Sequence, residues 1–482
     1  MTEQSSGLQL EMNFNTPSGN RFRRCLEKGV FTVLFEHAAP GSELSDNEAA
    51  KRLANLENIA LQCREVPAAL ALTDRSWSDN GRRAVEYAAL LPEKNRNSHL
   101  IYLSGRNTSP EQMQGLLGLA VANNIENLAA VSGDSRLGEN ASELRKMPFT
   151  ESVDTLRLLA QRSMKQQVFA GATVNAHINS APGLYSSIFK LIKKFNSGAE
   201  FAVTQAGFDM AQLDALRKYL SWRGYHQCLI ARLMLLTPEK MEKITGNMLP
   251  GIRISDDFLN ILQRELRFSD SQFEAAQYRR LELQAVGCKL LGYSGIQISG
   301  ADTPQKMQIT LNRISRALKE FTSLNQWIEE YKFYMARSDI APSERQFYLF
   351  EKLLNHTRPE SEVPDLTEFK LPEQNIFTRT GDTARRFFFP EADQQPAEER
   401  RWLKKLLANC QNCSQCRLPQ TQFYCVARCP KQLNNGPCGG VKENGCCEVG
   451  NFNCVHWQIW HAAEKRKECD ALENNYISPP EK

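Results

Sequence analysis

Residues 99–134 read HLIYLSGRNTSPEQMQGLLGLAVANNIENLAAVSGD. Two short apolar runs, HLIYLS (99–104) and NLAAVSGD (127–134), enclose EQMQGLLGLAVANN (111–124), in which apolar residues recur at three- and four-residue spacing. Short apolar runs are typical of buried strands. Apolar residues at three- and four-residue spacing, as in the segment between the two runs, are typical of an amphipathic helix. The stretch therefore predicts a strand–helix–strand unit with parallel strands.

The same alternation extends from about residue 25 to residue 300. Helical spacing recurs at 47–63 and 185–198. Six further apolar runs predict strands: VFTVLFE (30–36), AALALT (68–73), VFAGATV (168–174), FAVTQ (201–205), CLIARLML (228–235) and LLGYSGIQIS (290–299). Eight strands alternating with helices predict an α/β protein with a (β/α)8 TIM barrel. A doubly wound open sheet is the alternative that the same alternation allows.

The barrel accounts for only part of the chain. We expect residues 1–20 to form a polar N-terminal arm and residues 21–305 to form the barrel. Residues 306–400 predict a connector that begins as a helix and then carries five prolines between residues 357 and 396, which break regular structure. Residues 401–482 are expected to form a small cysteine-rich metal-cluster domain.

The bulk composition limits the class of protein. A chain of 482 residues exceeds one ordinary core, and 41% hydrophobic with 24% charged residues is typical of a soluble protein. A net charge of +4 gives no reason to expect nucleic acid as a partner. The sequence contains no run of eighteen apolar residues and no secretory signal, so we expect a cytoplasmic protein without a membrane span. A homo-oligomer is left open.

Nine of the fourteen cysteines lie between Cys410 and Cys454. In a cytoplasmic protein such a group is more typical of metal ligands than of disulfides. The first three have the spacing C-x2-C-x2-C, by which one loop can bind three corners of a [4Fe–4S] cluster. Eight thiolates suffice for two clusters, and the candidate ligands are Cys410, Cys413, Cys416, Cys425, Cys429, Cys438, Cys447 and Cys454.

Two further cysteines are left out of this set, Cys446 because it adjoins Cys447 and Cys469 because it lies in a helical tail. Four thiolates also bind zinc, so one cluster plus zinc, or zinc alone, remain alternatives. The spacing does not show which cysteines share a site.

In a TIM barrel the chemistry lies at the carboxyl ends of the strands. The predicted strands end on a polar set, which includes Glu36, Thr73, Ser132, Asp134 and Gln205. Loops also begin at these positions, so a single polar residue there can be an ordinary loop residue without a function. The occurrence of several together favours a functional site.

Four barrel stretches resemble the methylenetetrahydrofolate reductase family: VLFEHAAP (33–40), HLIYLS (99–104), NLAAVSGDS (127–135) and GAEFAVTQAGFD (198–209). Within them the matching residues are Phe35, Glu36, Pro40, His99, Leu100, Gly133, Asp134, Thr204, Gln205, Phe208 and Asp209. The cysteine-rich segment is similar to the small protein that accompanies this reductase in acetogens, with shared runs at 410–416, 425–431, 435–440 and 447–449.

The resemblance implies that hydride from a reduced flavin, FAD or FMN, converts 5,10-methylenetetrahydrofolate into 5-methyltetrahydrofolate. It implies that Glu36 is the general acid, with a pKa that burial raises toward the useful range. Asp134 is implied as a second catalytic residue, near the flavin and the pterin. Gln205 and Phe208 are implied to bind the substrate.

The implied flavin-binding residues are Thr73, His99, Ser132, Asp134, Lys193 and Lys194. Ser132 stands where the family has an arginine, which favours a smaller flavin such as FMN. Lys193 and Lys194 match a basic pair for the flavin phosphate, and with Lys190 they recur at helical spacing. The alternative for these lysines is a solvated helix face.

Electrons are expected to enter through the cysteine-rich domain. No G-x-G-x-x-G pattern follows a strand, so ferredoxin or a partner subunit is the expected donor. One rival reading is a paralogue that acts on another one-carbon carrier or oxidises methyltetrahydrofolate. Another is a zinc-stabilised docking module. An entry role requires the cysteine-rich domain to lie near the barrel mouth, whereas a position on the far side would indicate assembly.

Overall fold

The structure, a computed structural model, describes residues 19–63, 65–74, 81–161, 164, 167–178, 181–335, 404–405, 408–411, 413, 416–442 and 444–479. Eight parallel strands close into a barrel in sequence order. The strands are β1 Thr32–Ala38, β2 Ala68–Thr73, β3 Leu100–Ser104, β4 Asn127–Val131, β5 Phe169–Val174, β6 Phe201–Thr204, β7 Cys228–Met234 and β8 Gly295–Ser299. Since β1 pairs with β8, the TIM barrel is confirmed and the open sheet is wrong.

Helices cover the barrel and continue after it. They are α1 Arg21–Glu27, α2 Asp46–Gln62, α3 Ala84–Ala89, α4 Glu93–Arg96, α5 Pro110–Ala122, α6 Ala141–Lys146, α7 Ser152–Leu159, α8 Ala181–Asn196, α9 Met210–Trp222, α10 Pro238–Thr245, α11 Asp256–Phe268, α12 Asp270–Leu290, α13 Pro304–Glu320, α14 Leu324–Tyr334, α15 Val455–Arg466 and α16 Cys469–Asn474. Ser45 and Ser109 begin α2 and α5 with capping boxes, which satisfy free backbone N–H groups.

Side chains alternate along each strand, so every second residue points into the interior of the barrel. An inner apolar layer contains Leu34, Ala71, Tyr102, Ala129, Val203 and Ile230, and α1 closes its lower end with Phe22 and Leu26. Residues two positions further along a strand point into the same interior one layer higher. At the carboxyl ends of the strands the inward-pointing residues are polar, among them Glu36, Thr73 and Arg232, and they line the barrel mouth.

The helical stretch that follows β8 packs on the barrel. The connector was expected to begin as a helix, and the structure forms two: α13 ends before Ser323, whose side chain caps α14. Trp327 is fully buried and donates from its indole nitrogen to the carbonyl oxygen of Leu283 at 2.7 Å. Residues 306–335 are therefore part of the packed barrel unit. The proline-containing part of the expected connector, 336–400, lies outside the described residues, as do residues 1–18 of the expected arm.

The cysteine-rich segment lies on the barrel mouth. It consists mainly of loops, with the 3-10 turns Leu418–Thr421 and Val426–Arg428 followed by α15 and α16. Trp460 of α15 packs against Tyr185 of α8, with ring centroids 5.5 Å apart. Hydrogen bonds also join the segment to the loops after β4 and β5 and to the loop between α10 and α11. This position is the one that an electron-entry role requires.

Within the described part of the chain, every helix is too short or too polar to cross a membrane.

Gly171 of β5 offers a test of the packing between strands. A Cβ atom at this position would lie 2.3 Å from the ring of Phe201 on the adjacent strand. We expect Gly171→Ala to lower the free energy of unfolding by about 1–3 kcal/mol through overpacking, measured by urea unfolding. The matched control is Gly115→Ala in α5, where a Cβ meets nothing within 4 Å. It should stabilise by about 1 kcal/mol through helix propensity, and equal effects of the two substitutions would contradict the packing described.

Candidate active site at the barrel mouth

A cavity of about 310 Å³ opens at the carboxyl ends of the strands. Its size lies within the range of roughly 300–1,000 Å³ that is typical of small-molecule sites. The structure brings six of the expected residues to its wall: Glu36, Thr73, Ser132, Asp134, Lys194 and Gln205.

Three expected residues lie away from this cavity. His99 precedes β3 at the amino end of the barrel, where its buried ring contacts Glu57 and accepts a hydrogen bond from the Leu70 N–H. Phe208 turns outward and packs against Phe258, with ring centroids 5.4 Å apart. Lys193 is buried but does not line the cavity.

Arg232 of β7 connects the polar groups at the mouth. Its Nη2 donates to Glu36 Oε1 at 2.6 Å, and its Nη1 donates to Gln205 Oε1 at 2.7 Å. The other oxygen of Glu36 accepts a hydrogen bond from Gln297 Nε2 at 2.8 Å. One guanidinium therefore holds the proposed acid and the proposed pterin-binding residue together.

The ionisation of Glu36 differs from our expectation. Burial acts to raise the pKa of this carboxyl, but the charge and hydrogen bond of Arg232, with a hydrogen bond from Gln297, lower it further. The net pKa lies below its usual value, so Glu36 is a carboxylate at neutral pH. The expected raised pKa is wrong for this arrangement, because the positive charge of Arg232 and the hydrogen bonds to the carboxylate together outweigh the effect of burial.

Sequence reasoning also missed Tyr102 and Gln297. The hydroxyl of Tyr102 donates to Gln297 Oε1 at 2.6 Å, which orients the amide whose nitrogen donates to Glu36. Each of these residues is a polar group within an apolar strand run, as Arg232 is in CLIARLML. A buried polar group requires a partner, so this pattern could have identified them.

Asp134 follows β4 and has a contrasting environment. Burial raises the pKa of its carboxyl, Lys431 acts to lower it, and the charge of Glu448 acts to raise it. The net pKa is raised, so Asp134 has a greater tendency to hold a proton than Glu36 has. Lys431 and Glu448 belong to the cysteine-rich segment, so that segment contributes to the electrostatics of the site.

The three lysines of α8 are buried, so a solvated helix face is wrong. Lys194 donates to the carbonyl oxygen of Thr173 at 2.5 Å, and burial lowers its pKa to about 7. Burial also lowers the pKa of Lys193 to about 8. Lys190 lines the cavity, but its ammonium contacts Glu151 at 2.7 Å and donates to the carbonyl oxygen of Pro437 at 3.1 Å.

The loop 436–440 forms a roof over the cavity. Pro437, Cys438 and Gly439 line it directly, and the amide of Asn175 donates to the carbonyl oxygen of Gly439 at 3.0 Å. A Cβ atom on Gly251, whose φ is +72°, would lie 2.3 Å from that same oxygen. Glycine at 251 therefore permits the close approach of the roof to the barrel.

The eight candidate metal ligands lie in the cysteine-rich segment, and none of them forms a disulfide in the described structure. Four of them, Cys429, Cys438, Cys447 and Cys454, line a second cavity of about 410 Å³ next to the roof. In the part of the chain that the structure describes, no group of three His, Cys, Asp or Glu side chains is arranged to hold a single metal ion.

Comparisons with known proteins agree with this architecture. A family model described as methylenetetrahydrofolate reductase matches residues 21–296. A second, described as methylene-tetrahydrofolate reductase C terminal, matches residues 389–482. A comparison with curated proteins gave no match.

Two solved structures are similar at low identity. An uncharacterized protein from Clostridium thermocellum, described as binding two copies of 5-methyl-5,6,7,8-tetrahydrofolic acid, is 11% identical with a TM-score of 0.45, over 62% of this chain and 99% of that chain. Thiamine phosphate pyrophosphorylase from Pyrococcus furiosus is 12% identical with a TM-score of 0.29, over 61% of this chain and 98% of that chain.

The reductase model spans more than half of the chain and coincides with the closed barrel. The chain therefore belongs to the methylenetetrahydrofolate reductase family, a family of oxidoreductases that act on folates.

Proposed function

We propose that the protein reduces 5,10-methylenetetrahydrofolate to 5-methyltetrahydrofolate with a flavin bound at the barrel mouth. The observation that carries this proposal is the convergence of Glu36, Asp134 and Gln205 on one cavity of a reductase-family barrel. These residues come from three different strand ends, and only the closed barrel brings them together.

The cavity fits a flavin in its donor set. Thr73, Ser132 and Asp134 supply polar groups along one wall, and Lys194 supplies an ammonium that suits a phosphate. These residues would hold the flavin, FAD or FMN, and Ser132 in place of an arginine favours FMN. When bound in its reduced form, the flavin supplies the hydride that the methylene carbon accepts.

Glu36 is the proposed acid for N10 of the folate, and Arg232 controls its proton. A pterin that donates to the oxygen of Gln205 competes with Arg232, because that oxygen accepts from Nη1 at 2.7 Å. When the guanidinium is displaced, burial becomes the main influence on the pKa of Glu36. Burial disfavours the charged form and so raises this pKa. Substrate binding and protonation of the acid are thereby linked.

Asp134 is the proposed second catalytic carboxyl. It lies on the side of the cavity where the cysteine-rich segment contributes Lys431, whose ammonium donates to the carbonyl oxygen of Gly133 at 3.0 Å. This contact holds the backbone next to Asp134. The proposed role is to orient the pterin and to influence the charge of the flavin ring.

We further propose that electrons enter through iron–sulfur clusters in the cysteine-rich segment, from ferredoxin or a partner subunit. The position of Cys438 in the roof of the cavity supports entry from this side. A [4Fe–4S] cluster exchanges single electrons, and a flavin accepts electrons singly and delivers two. A purely zinc-stabilised docking role would not require a ligand cysteine in this wall.

The proposed reaction can be assayed directly. Anaerobically purified protein should convert 5,10-methylenetetrahydrofolate to the 5-methyl product with a reduced viologen dye as donor. The folate product is measured chromatographically. A protein with a full flavin load and no turnover of this substrate would overturn the proposed function.

Glu36→Gln tests the acid. The amide keeps the shape of the side chain but cannot supply the proton, so we expect flavin to be retained and turnover to fall about 10²–10⁴-fold. Glu239→Gln is a matched control, because Glu239 is a highly exposed carboxylate on α10. Substantial remaining activity in Glu36→Gln would place the acid elsewhere.

Arg232→Gln tests the control of the acid. Removal of the guanidinium removes the main influence that lowers the pKa of Glu36, and burial then raises it. We expect the infrared difference spectrum, Arg232→Gln minus the unsubstituted protein, to show a band from protonated Glu36 at neutral pH. The double variant Arg232→Gln/Glu36→Gln should lack this band. The same band in the double variant, or no band in Arg232→Gln, would contradict the proposed coupling.

A further inference from the structure

Four of the eight candidate cysteines lie around one cavity, and the other four lie outside its wall. The inner group, Cys429, Cys438, Cys447 and Cys454, lines the cavity of about 410 Å³. The first and last of these are 25 positions apart in the sequence, so the fold of the segment creates the group. None of the other four candidate cysteines lines that cavity.

Backbone N–H groups lie close to three of the four sulfur atoms of the inner group. Cys454 begins α15, and the N–H groups of His456 and Trp457 donate to its sulfur. The N–H groups of Lys431 and Leu433 donate to Cys429, and that of Val449 donates to Cys447. Such donors stabilise thiolates that bind metals and influence the potential of iron–sulfur clusters.

The outer group consists of Cys410, Cys413, Cys416 and Cys425. Cys416 and Cys425 share an apolar cluster with Leu418 and Phe423. Cys413 lies within electrostatic range of Cys410 and Cys416, and Cys425 lies within range of Cys410 and Cys413. Cys425 is therefore the candidate fourth ligand beside the C-x2-C-x2-C loop.

Cys438 links the inner group to the barrel. It lines both the four-cysteine cavity and the cavity that contains Glu36 and Asp134. Its sulfur lies 3.3 Å from Glu448, whose other oxygen accepts a hydrogen bond from the Ser135 N–H of the loop after β4. None of the outer cysteines lines the barrel cavity in the described structure.

We propose that the inner and outer groups are two separate four-thiolate metal sites, and that the inner site adjoins the barrel cavity through Cys438. Cys446 and Cys469 belong to neither site. The inference deepens the proposed function and rests on it for the identity of the metal. The division of the ligands is a separate claim, because it predicts a pattern of losses that holds for iron or zinc.

Metal content of anaerobically purified variants tests the division. The unsubstituted protein should hold about eight irons, as two four-iron clusters. Cys413→Ser and Cys454→Ser should each lose about half of the metal, and the double variant of the two should lose nearly all of it. Cys413→Ser/Cys416→Ser, with both changes in one group, should lose no more than Cys413→Ser alone. Cys446→Ser is the matched control and should keep the full content.

Circular dichroism shows whether each variant is folded. Loss of all metal from a folded Cys413→Ser variant, or loss of half from Cys446→Ser, would overturn the division. So would a protein that binds neither iron nor zinc. Zinc lost in the same pattern would support the division, while contradicting the iron–sulfur part of the proposed function.

The contact with the barrel needs a different measurement, the absorption spectrum of bound flavin. Cys438→Ser should shift the flavin bands, because the residue lines the flavin cavity and holds the inner site. Cys413→Ser should leave them unchanged, although it removes the same amount of metal. An equal shift in both variants, or no shift in either, would overturn the assignment of the inner site to the barrel side.

Discussion

The ion pair between Lys190 and Glu151 fixes the cysteine-rich segment to the barrel. Both side chains are buried, and their charged atoms are 2.7 Å apart. Glu151 also accepts hydrogen bonds from the N–H groups of Asn434 and Asn435, and Lys190 donates to the carbonyl oxygen of Gly436. Loss of one partner from a buried pair leaves an uncompensated charge, at a cost of about 3–5 kcal/mol. The roof of the cavity, including Cys438, depends on this contact.

A second constraint operates inside the mouth. Arg232 is a fixed positive charge between Glu36 and Gln205, so the acid stays ionised until the guanidinium is displaced. On the opposite side, burial and Glu448 favour the protonated form of Asp134. Glu36 and Asp134, which line one cavity, thus have pKa values shifted in opposite directions. Arg232 belongs to a barrel strand and Glu448 belongs to the cysteine-rich segment, so both parts of the chain determine the electrostatics of the site.

Much of this architecture could be predicted from the sequence. The apolar runs and helical spacing gave the barrel, and the polar residues that follow the runs included Glu36, Asp134 and Gln205. His99 was placed in the site by resemblance alone, although it precedes β3 and so lies at the wrong end of the strand. An arginine in an apolar run marks Arg232 as a buried residue that needs a partner, but the sequence does not show that its partners are Glu36 and Gln205. The grouping of the cysteines could not be predicted either, because spacing does not reveal how the loops of the segment fold.

A crystal of anaerobically purified protein, measured at the iron and zinc absorption edges, would test the central claim most directly. Two iron peaks are expected, one among Cys429, Cys438, Cys447 and Cys454 beside the barrel mouth, and the other among Cys410, Cys413, Cys416 and Cys425. The inner peak should lie between the barrel cavity and the outer peak. No metal peak next to Cys438, or a single peak bound by cysteines of both groups, would contradict a metal site that adjoins the catalytic cavity.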